Sequence, residues 1–598
     1  MGQVLKRSEA PKEQTWNLGL IFADDEAWEQ EAAALLQEME AITSHRGHLT
    51  DSADSLLAAL ALRDSLSNRL DSLYVYAHQA SDTDLANSRY QGYQARALTV
   101  LAAFGEKTAF MKTELMAADE FRLRELLADS RLAVYRVEFD RLLAKRAHIL
   151  SETEEAMLAA LSPVLEASQS TAGILNNADL RFEAAVDQDG QEQVLNHSRY
   201  GVYLESQDRV LRESAFRSLY KGYRQFAGSF ASTLSSTVKL HATMARLRHF
   251  GSAREAALSE NFIPEHVYDA LVDTVSRYTP NLHRYMALRK QVLGVDELRM
   301  YDLYVPMIKD CNLYFSFEEA RDIVLEAVAP LGAAYVRDAR RVFDERWIDY
   351  VENEGKRSGA YSGGAYSTAP YILMSWQGTI DNLFTLIHEL GHSMHSFYSR
   401  ANQPYIYGDY SIFVAEVAST CNENLLNHYL LQKYQADHTV KAYLLNRYLD
   451  GVKGTVYRQT QFAEFEKLIH ARAEVGQSLT VEDFCALYAE INSRYYGDAV
   501  TMDEDISYEW ARIPHFYYNF YVYQYATGLS AATALANRIL TGDPEKVQAY
   551  LNFLASGCSD TPIAVLQKAG VDMSTPQPIE NCLETFADRL QELEALLK

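Results

Sequence analysis

Cysteine is scarce in this chain, and the few cysteines that it has are scattered. The 598 residues contain only five, none of them in a CxxC pair: Cys311, Cys421, Cys485, Cys558 and Cys582. An odd number of isolated cysteines argues against a disulfide framework and against a thiolate zinc site. We therefore expect a reducing compartment.

Long apolar runs are missing as well. The most apolar stretch, Leu56–Leu62, is ended by Arg63 and Asp64, whereas a helix that crosses a membrane needs about 20 consecutive apolar residues. The N-terminal sequence MGQVLKRSEAPKEQTW also lacks the apolar segment of a signal peptide. We expect no membrane span and a cytoplasmic location.

Positive charge is in the minority. The chain has 56 Lys and Arg against 81 Asp and Glu, which gives a formal net charge of −25. So acidic a surface repels nucleic acid and anionic lipid, and we expect neither as a partner. Proline and glycine are also few, at 13 and 28, which excludes a collagenous or linker-rich protein.

Most of the sequence has the spacing of amphipathic helices. Leu and Ala recur at helical intervals through residues 25–175 and again from about 200 to about 355. Between these stretches, Leu180–Leu195 contains Asp-Gln-Asp-Gly between two short runs, which predicts a β-hairpin. The pattern indicates a mainly α fold with an N-terminal helical domain over 1–190 and a second domain over 191–598.

A glycine-rich segment interrupts the helical pattern before the most informative motif. Lys356–Trp376 contains Gly359, Gly363 and Gly364, and it ends in the β-prone run YILMSW. We predict a mobile loop followed by a strand that pairs with an extended ligand backbone.

Residues 381–400 predict a helix with two histidines on one face. Its apolar residues recur at steps of four and three, which is the buried stripe of an amphipathic helix: Leu383, Ile387, Leu390, Met394 and Phe397. His388 and His392 are four residues apart and lie off that stripe, so core packing does not explain them. Two imidazoles so placed can bind one Zn²⁺.

The residues between the two histidines complete an HExxH motif, His388-Glu389-Leu390-Gly391-His392. Glu389 is displaced around the helix from the ligand positions but can reach a water on the metal, so it is the candidate general base. Gly391 costs about 1 kcal/mol in a helix interior, which indicates that another segment comes close. The alternative is a pair of helical histidines without a metal.

A catalytic zinc needs a third protein ligand and one open position. Glu416 lies 24 residues after His392, far enough for the chain to turn and return as a second helix. We predict Glu416 as the third ligand and Glu423, two turns further on, as a partner of a ligating imidazole. A solvated helix glutamate is the alternative for Glu416.

A cluster of aromatic residues follows in Glu509–Gly528. It contains His515 and five tyrosines, Tyr517, Tyr518, Tyr521, Tyr523 and Tyr525. In a chain with 39 tyrosines a dense local cluster is partly expected, and aromatic packing is the alternative interpretation. The functional interpretation is that His515 and one or two phenols donate hydrogen bonds to an oxyanion as charge develops on it.

These motifs together resemble one enzyme family. HELGHSMH, FVAEVAST, the loop SGAYSGGAY and the run PHFYYNFYVYQYATGLSAA are similar to the thimet oligopeptidase (M3) family of zinc metallopeptidases, and within it to oligoendopeptidase F. The resemblance implies a mainly α, two-lobed helical shell around a deep substrate channel, with a small β-sheet beside the zinc helix. It also implies an endopeptidase that hydrolyses short unstructured peptides.

The resemblance assigns roles to the residues already singled out. It implies one Zn²⁺ per chain held by His388, His392 and Glu416, with Glu389 as the general base on a zinc-bound water. His515 and Tyr521 or Tyr523 would stabilise the transition state, and Tyr518 is a further candidate. The alternatives are a zinc carboxypeptidase on a similar scaffold and a non-catalytic peptide-binding protein, and a homo-oligomer is left open.

Overall fold

The computed structural model describes residues 4–308 and 313–598, so Cys311 lies outside the described residues. The chain divides into two compact units, each assembled from distant stretches. The first contains Met1–Ala147, Asn312–Tyr429 and Leu535–Gly570, and the second contains His148–Cys311, Leu430–Ala534 and Val571–Lys598. The expected boundary at residue 190 falls inside the second unit, and the division into 1–190 and 191–598 stays a prediction.

The N-terminal stretch of the first unit is helical, as its spacing predicts. Its helices are α1 (Asp25–Glu38), α2 (Ala53–Thr83), α3 (Ser88–Ala117), α4 (Glu120–Leu126) and α5 (Arg136–Lys145). Trp28 of α1 is fully buried and stacks on Tyr93 of α3, with ring centroids 4.4 Å apart. Its indole N–H donates to the Leu73 carbonyl of α2 at 2.8 Å, so one side chain ties three helices together.

The first stretch of the second unit contains the predicted hairpin. Its elements are α6 (Glu152–Leu165), α7 (Ala167–Ile174), β1 (Ala185–Val186), β2 (Glu192–Gln193), α8 (His197–Glu205), α9 (Arg209–Gln225), α10 (Ala227–Leu247), α11 (Ala253–Ser259), α12 (Glu265–Arg277) and α13 (Thr279–Leu293). β1 and β2 pair antiparallel, with Ala185 opposite Gln193. Gly190 has a φ of 75° in the turn between them, a conformation that glycine adopts without strain. The hairpin prediction is confirmed.

The central stretch carries the HExxH motif. Its elements are α14 (Phe317–Ala327), α15 (Ala333–Asp344), β3 (Ile348–Asp349), β4 (Tyr361–Gly363), β5 (Tyr371–Leu373), α16 (Ile380–Asn402) and α17 (Ile412–Lys433). The expectation that helix continues to about residue 355 is wrong. The helix ends at Asp344 because Arg346 takes a left-handed φ of 57° and the buried residue Ile348 enters a sheet.

The three strands form one small sheet in the order β3-β5-β4. β5 pairs parallel with β3 and antiparallel with β4, and Ile372 at its centre lies opposite both Ile348 and Ser362. The strand expected from YILMSW is therefore present, but it is shorter than expected and both of its edges are occupied. The predicted mobile loop itself contributes β4, an outer strand.

The remaining helices complete both units. They are α18 (His438–Val452), α19 (Arg458–Glu474), α20 (Val481–Tyr496), α21 (Tyr523–Ile539), α22 (Pro544–Leu554), α23 (Pro562–Lys568) and α24 (Gln577–Leu596). The prediction of a mainly α fold with a small sheet beside the motif helix is confirmed. In the part of the chain that the structure describes, no helix is both long enough and apolar enough to cross a bilayer.

The cysteines within the described residues are unpaired. Cys421 and Cys582 are buried, whereas Cys485 and Cys558 are half-buried. Burial raises the pKa of the Cys421 thiol to about 12 and that of Cys582 to about 11. These two thiols therefore stay protonated at neutral pH, as expected of apolar packing residues.

Helices α16 and α17 approach each other closely at Gly391. A Cβ atom at this position would lie 2.5 Å from Cα of Ser419 and 2.8 Å from the carbonyl oxygen of Ala418. These are backbone neighbours, which cannot move aside as a flexible side chain could. The expectation that Gly391 marks a close approach of another segment is confirmed.

We expect Gly391→Ala to destabilise the first unit by about 1–3 kcal/mol, because the added methyl group forces α17 away from α16. Gly92→Ala in α3 is the matched control, since a Cβ atom there meets nothing within 4 Å and alanine is the better helix former. Urea unfolding of both variants measures the difference. Equal unfolding midpoints would contradict the argument.

Candidate metal centre and active site

The motif helix α16 presents different chemistry on different faces. Leu383, Ile387, Leu390 and Met394 of the predicted stripe are fully buried, and Phe397 is half-buried. His388 and His392 are also half-buried, on a separate face. The helix starts at a capping residue, Thr379, whose hydroxyl accepts the Asn382 N–H at 3.2 Å. The apolar stripe thus fixes the rotation of the helix about its axis, and the imidazoles are not needed for core packing.

The structure brings His388, His392 and Glu416 together, with one ligand atom from each within 4.8 Å of the others. The two Nε2 atoms are 3.2 Å apart. Oε2 of Glu416 lies 3.3 Å from Nε2 of His388 and 3.4 Å from Nε2 of His392. The three atoms form a nearly equilateral triangle.

This triangle has the dimensions of a zinc site. A tetrahedral zinc ion bonded at about 2.0–2.1 Å holds its ligand atoms about 3.4 Å apart. Two imidazole nitrogens and one carboxylate oxygen are a donor set that catalytic zinc uses, and they leave a fourth position for a water or substrate. The residues present therefore fit one zinc ion.

Glu423 orients one of the imidazoles. Its Oε1 lies 2.6 Å from Nδ1 of His388. A proton on Nδ1 that is donated to this carboxylate leaves Nε2 as the nitrogen that faces the other ligand atoms and would bind a metal. Burial lowers the pKa of His388, but the hydrogen bonds with Glu416 and Glu423 outweigh it and raise that pKa to about 10.

The same contacts act on the third ligand. Burial raises the pKa of Glu416, and the hydrogen bonds and charges of His388 and His392 outweigh it and hold that pKa well below its usual range. Glu416 is therefore a carboxylate at neutral pH. A divalent cation at the centre of the triangle would compete with the His388 proton, so metal affinity falls as the pH decreases.

Glu389 lies beside the ligands but is far less accessible. It is 7 % exposed, and burial raises the pKa of its carboxyl group, with partial compensation by His388 and His392. The backbone N–H of Ser362 in β4 lies next to this carboxyl group and offsets a further part of the rise in its pKa. A buried carboxylate with a raised pKa and few partners is suited to accept and return a proton.

The outer strand β4 contacts the motif helix through Ser362. Besides the contact between Ser362 and Glu389, the hydroxyls of Ser362 and Ser393 lie 2.8 Å apart. The prediction that the YILMSW strand itself pairs with substrate is wrong, because its β5 core is central in the sheet. Nothing in the sequence marked Ser362 beyond its position in the glycine-rich segment.

His395 is not among the ligands, as expected from its position one turn further on. It is 1 % exposed and stacks on Tyr410, with ring centroids 3.6 Å apart. Burial lowers the pKa of His395 to about 3, so this ring is a neutral packing residue.

The predicted aromatic cluster lies in the second unit and divides into two groups. Tyr517 and Tyr523 are buried, Tyr523 at 2 % exposure against Tyr268 with ring centroids 5.1 Å apart. Tyr518 and Tyr521 instead surround His515, with ring centroids 5.6 and 6.2 Å from it.

Tyr525 also belongs to the group around His515. Its hydroxyl lies 3.4 Å from Nε2 of His515, and its ring centroid is 5.6 Å from that of Tyr521. Burial lowers the pKa of His515, so the imidazole is neutral at pH 7 and can donate through one nitrogen. Tyr521 lies just before α21 and Tyr525 lies in its first turn, so the contacts of their rings with His515, not helical spacing, place them in one group.

Family models and similar proteins of known name indicate the same family for this chain. Residues 202–585 match the model of peptidase family M3, and residues 114–182 match that of oligopeptidase F. Oligopeptidase PepF of Bacillus subtilis is 48 % identical over 596 residues, which cover 100 % of this chain and 89 % of that protein. Group B oligopeptidase PepB of Streptococcus agalactiae is 46 % identical over 99 % of this chain and 98 % of its own length.

Solved structures agree with this result. Oligoendopeptidase-F from Enterococcus faecium is 40 % identical and aligns with a TM-score of 0.73 over 96 % of this chain and 99 % of that one. A crystal structure from Chlamydophila abortus that is assigned as a peptidase is 34 % identical and aligns with a TM-score of 0.95, over 99 % and 100 % of the two chains.

We expect Glu423→Gln to weaken zinc binding about 10–100-fold, because the amide can no longer balance the charge of the ligating imidazole. Glu416→Ala, which removes a proposed ligand, should weaken zinc binding further. Competition with a chromophoric chelator measures the apparent dissociation constant. Glu318→Gln, an exposed glutamate of the same unit, is the control, and an unchanged constant in Glu423→Gln would remove that residue from the site.

Proposed function

Because the chain belongs to peptidase family M3, and within it to the oligoendopeptidase F group, we propose that it is a zinc-dependent endopeptidase of short, unstructured peptides. The observation that carries the zinc dependence is the triangle of Nε2, Nε2 and Oε2 atoms with edges of 3.2, 3.3 and 3.4 Å. His388, His392 and Glu416 would hold the ion. When bound, zinc supplies Lewis acidity, which makes water nucleophilic near neutral pH and polarises the scissile carbonyl.

In the proposed reaction, Glu389 moves the protons. Its carboxylate takes a proton from the attacking water and afterwards delivers it to the leaving amine. Burial supports both steps, because a raised pKa brings the carboxyl group closer to neutral pH than that of an exposed glutamate. The Ser362 N–H beside the carboxyl group would favour its ionised form, which is the form that accepts the proton.

β4 is the proposed place for the substrate backbone. An extended peptide can add only to an outer strand, and the outer strands of this sheet are β3 and β4. Of these two, β4 contacts Glu389 through Ser362. A peptide along β4 would therefore pass the general base.

His515 and the phenols beside it are the proposed oxyanion donors. Tyr521 and Tyr525 both lie beside the neutral imidazole of His515, and one well-placed donor is worth roughly 10²–10³ in kcat. Tyr518, 47 % exposed, is the third phenol of the group. Tyr523 packs in the core instead, which argues against a direct role for it.

We expect Glu389→Gln to retain zinc and to lose about 10²–10⁴-fold in kcat, because the amide cannot accept the proton. The assay is cleavage of an internally quenched peptide that is blocked at both termini, which an endopeptidase cuts and a carboxypeptidase cannot. Zinc content measured on the same sample separates loss of the base from loss of the metal. Normal turnover by Glu389→Gln would refute its role as the general base. No cleavage of the blocked peptide by the parent enzyme would refute the endopeptidase activity.

We expect Tyr521→Phe and Tyr525→Phe each to lower kcat about 10–10³-fold with little change in KM, because a phenol that donates to the oxyanion acts mainly in the transition state. Tyr523→Phe, which lies between the two in sequence, is the matched control and should stay within about twofold of the parent enzyme. A large loss in Tyr523→Phe with none in the other two would reverse the assignment.

A further inference from the structure

The loop that leads into α21 contains two consecutive residues in the left-handed region. Asn519 has a φ of 48° and Phe520 a φ of 59°. Asparagine tolerates this conformation, but for a bulky aromatic residue it is a genuine outlier, which persists only where the surroundings hold it in place. The strained turn lies between His515 and Tyr521, so its conformation affects how these two residues are placed relative to each other.

Glu466 of α19 makes the contact that holds this loop. Its side chain is completely buried, and its Oε1 accepts the backbone N–H of Phe520 at 2.6 Å. Among the residues that the structure describes, Oε2 of Glu466 has no hydrogen-bond partner. A buried carboxyl group so poorly partnered is costly.

The ring of Phe520 is fixed from the same helix. It packs on His470 with ring centroids 4.5 Å apart and on Tyr268 with centroids 5.6 Å apart. His470 is itself held, because its Nδ1 lies 2.8 Å from the backbone carbonyl of Glu466 and its Nε2 lies 3.2 Å from Nδ1 of His241. One turn of α19 therefore fixes both the backbone and the side chain of Phe520.

The position of Phe520 decides where its neighbours point. Tyr521 follows it directly, and its ring lies 6.2 Å from His515 across the turn, with the two planes at 17°. If Asn519 and Phe520 relaxed to negative φ, the chain would leave the turn in another direction and Tyr521 would move relative to His515.

We propose that Glu466 is a positioning residue for the His515–Tyr521 pair, acting through the Phe520 N–H. This inference rests on the proposed function, because it assigns to Glu466 the task of aligning the donors that were assigned there. Glu466 itself would touch neither the substrate nor the metal.

The protonation state of Glu466 supports this role and suggests the conservative variant. Burial raises the pKa of its carboxyl group to about 8, with only partial compensation by the Phe520 N–H. At neutral pH the group is then mostly the neutral acid, whose carbonyl oxygen accepts the N–H. A glutamine has the same shape and the same acceptor.

The test compares three substitutions in the full-length, zinc-loaded enzyme. Glu466→Gln keeps the acceptor and should retain kcat within about threefold. Glu466→Met fills the same space without an acceptor and should lower kcat at least tenfold, with KM within about twofold and with one zinc per chain. Glu466→Asp, one methylene too short to reach, should behave like Glu466→Met and replaces it if the methionine variant does not fold.

Glu464→Met is the control for a merely structural effect. Glu464 lies on the same helix and forms a 2.6 Å ion pair with Arg494, so its loss should lower the melting temperature and leave the kcat of the folded enzyme unchanged. If Glu466→Met and Glu466→Asp keep their kcat, or if Glu466→Gln loses as much as they do, the inference is overturned.

A double-mutant cycle separates this inference from the proposed function. If Tyr521→Phe leaves kcat unchanged in the parent enzyme, the donor role of Tyr521 fails, whatever Glu466 does. If Tyr521→Phe is costly in the parent but equally costly in Glu466→Met, the two residues act independently and only the present inference fails. The expected result is that Tyr521→Phe costs much less in Glu466→Met than in the parent.

Discussion

The close approach of α16 and α17 is the constraint on which the candidate metal centre depends. Two histidines on one helix can supply two ligand atoms, but the third must come from a separate helix whose distance is set by packing. Because Gly391 has no side chain, the backbone of α17 at Ala418 and Ser419 can come within van der Waals reach. Glu416 lies on the same part of α17, and its Oε2 is therefore 3.3 and 3.4 Å from the Nε2 atoms of the two imidazoles.

Burial and charge are balanced differently at each residue of this site. Glu416 faces two imidazoles and is held as an anion, whereas Glu389 is 7 % exposed and burial moves its pKa upwards. Two glutamates with opposite pKa shifts can divide the chemistry between them, one as a permanent ligand and the other as a group that exchanges protons. The division follows from position alone, since the residue type is the same.

Much of the site could be predicted because its parts are local in sequence. The spacing of His388 and His392 fixes a shared helix face, and the apolar stripe of the same helix fixes which way that face points. Glu416 was within reach because it follows in the next helix. Bringing the three proposed zinc ligands together required only helix periodicity and one turn of the chain.

What the sequence could not give depends on contacts between distant segments. The central position of β5 follows from β3, a two-residue strand after an unexpected helix end at Asp344. No local pattern predicted it, so the outer strand beside Glu389 was assigned to the wrong segment. The contact between Ser362 and Glu389 was missed for the same reason.

The aromatic cluster shows where residue type misleads and geometry decides. Five tyrosines between residues 517 and 525 are chemically equivalent in the sequence, but Tyr517 and Tyr523 are buried and three others surround His515. The division of the tyrosines into two groups depends on a turn with two left-handed residues, Asn519 and Phe520. The sequence at these positions does not predict that turn. A glycine at either position would have predicted the turn but would have left it flexible. Phe520, held by Glu466 and His470, gives the turn a single conformation, but its backbone is strained. Such strain is expected at a position where the direction of the following side chain matters more than local stability.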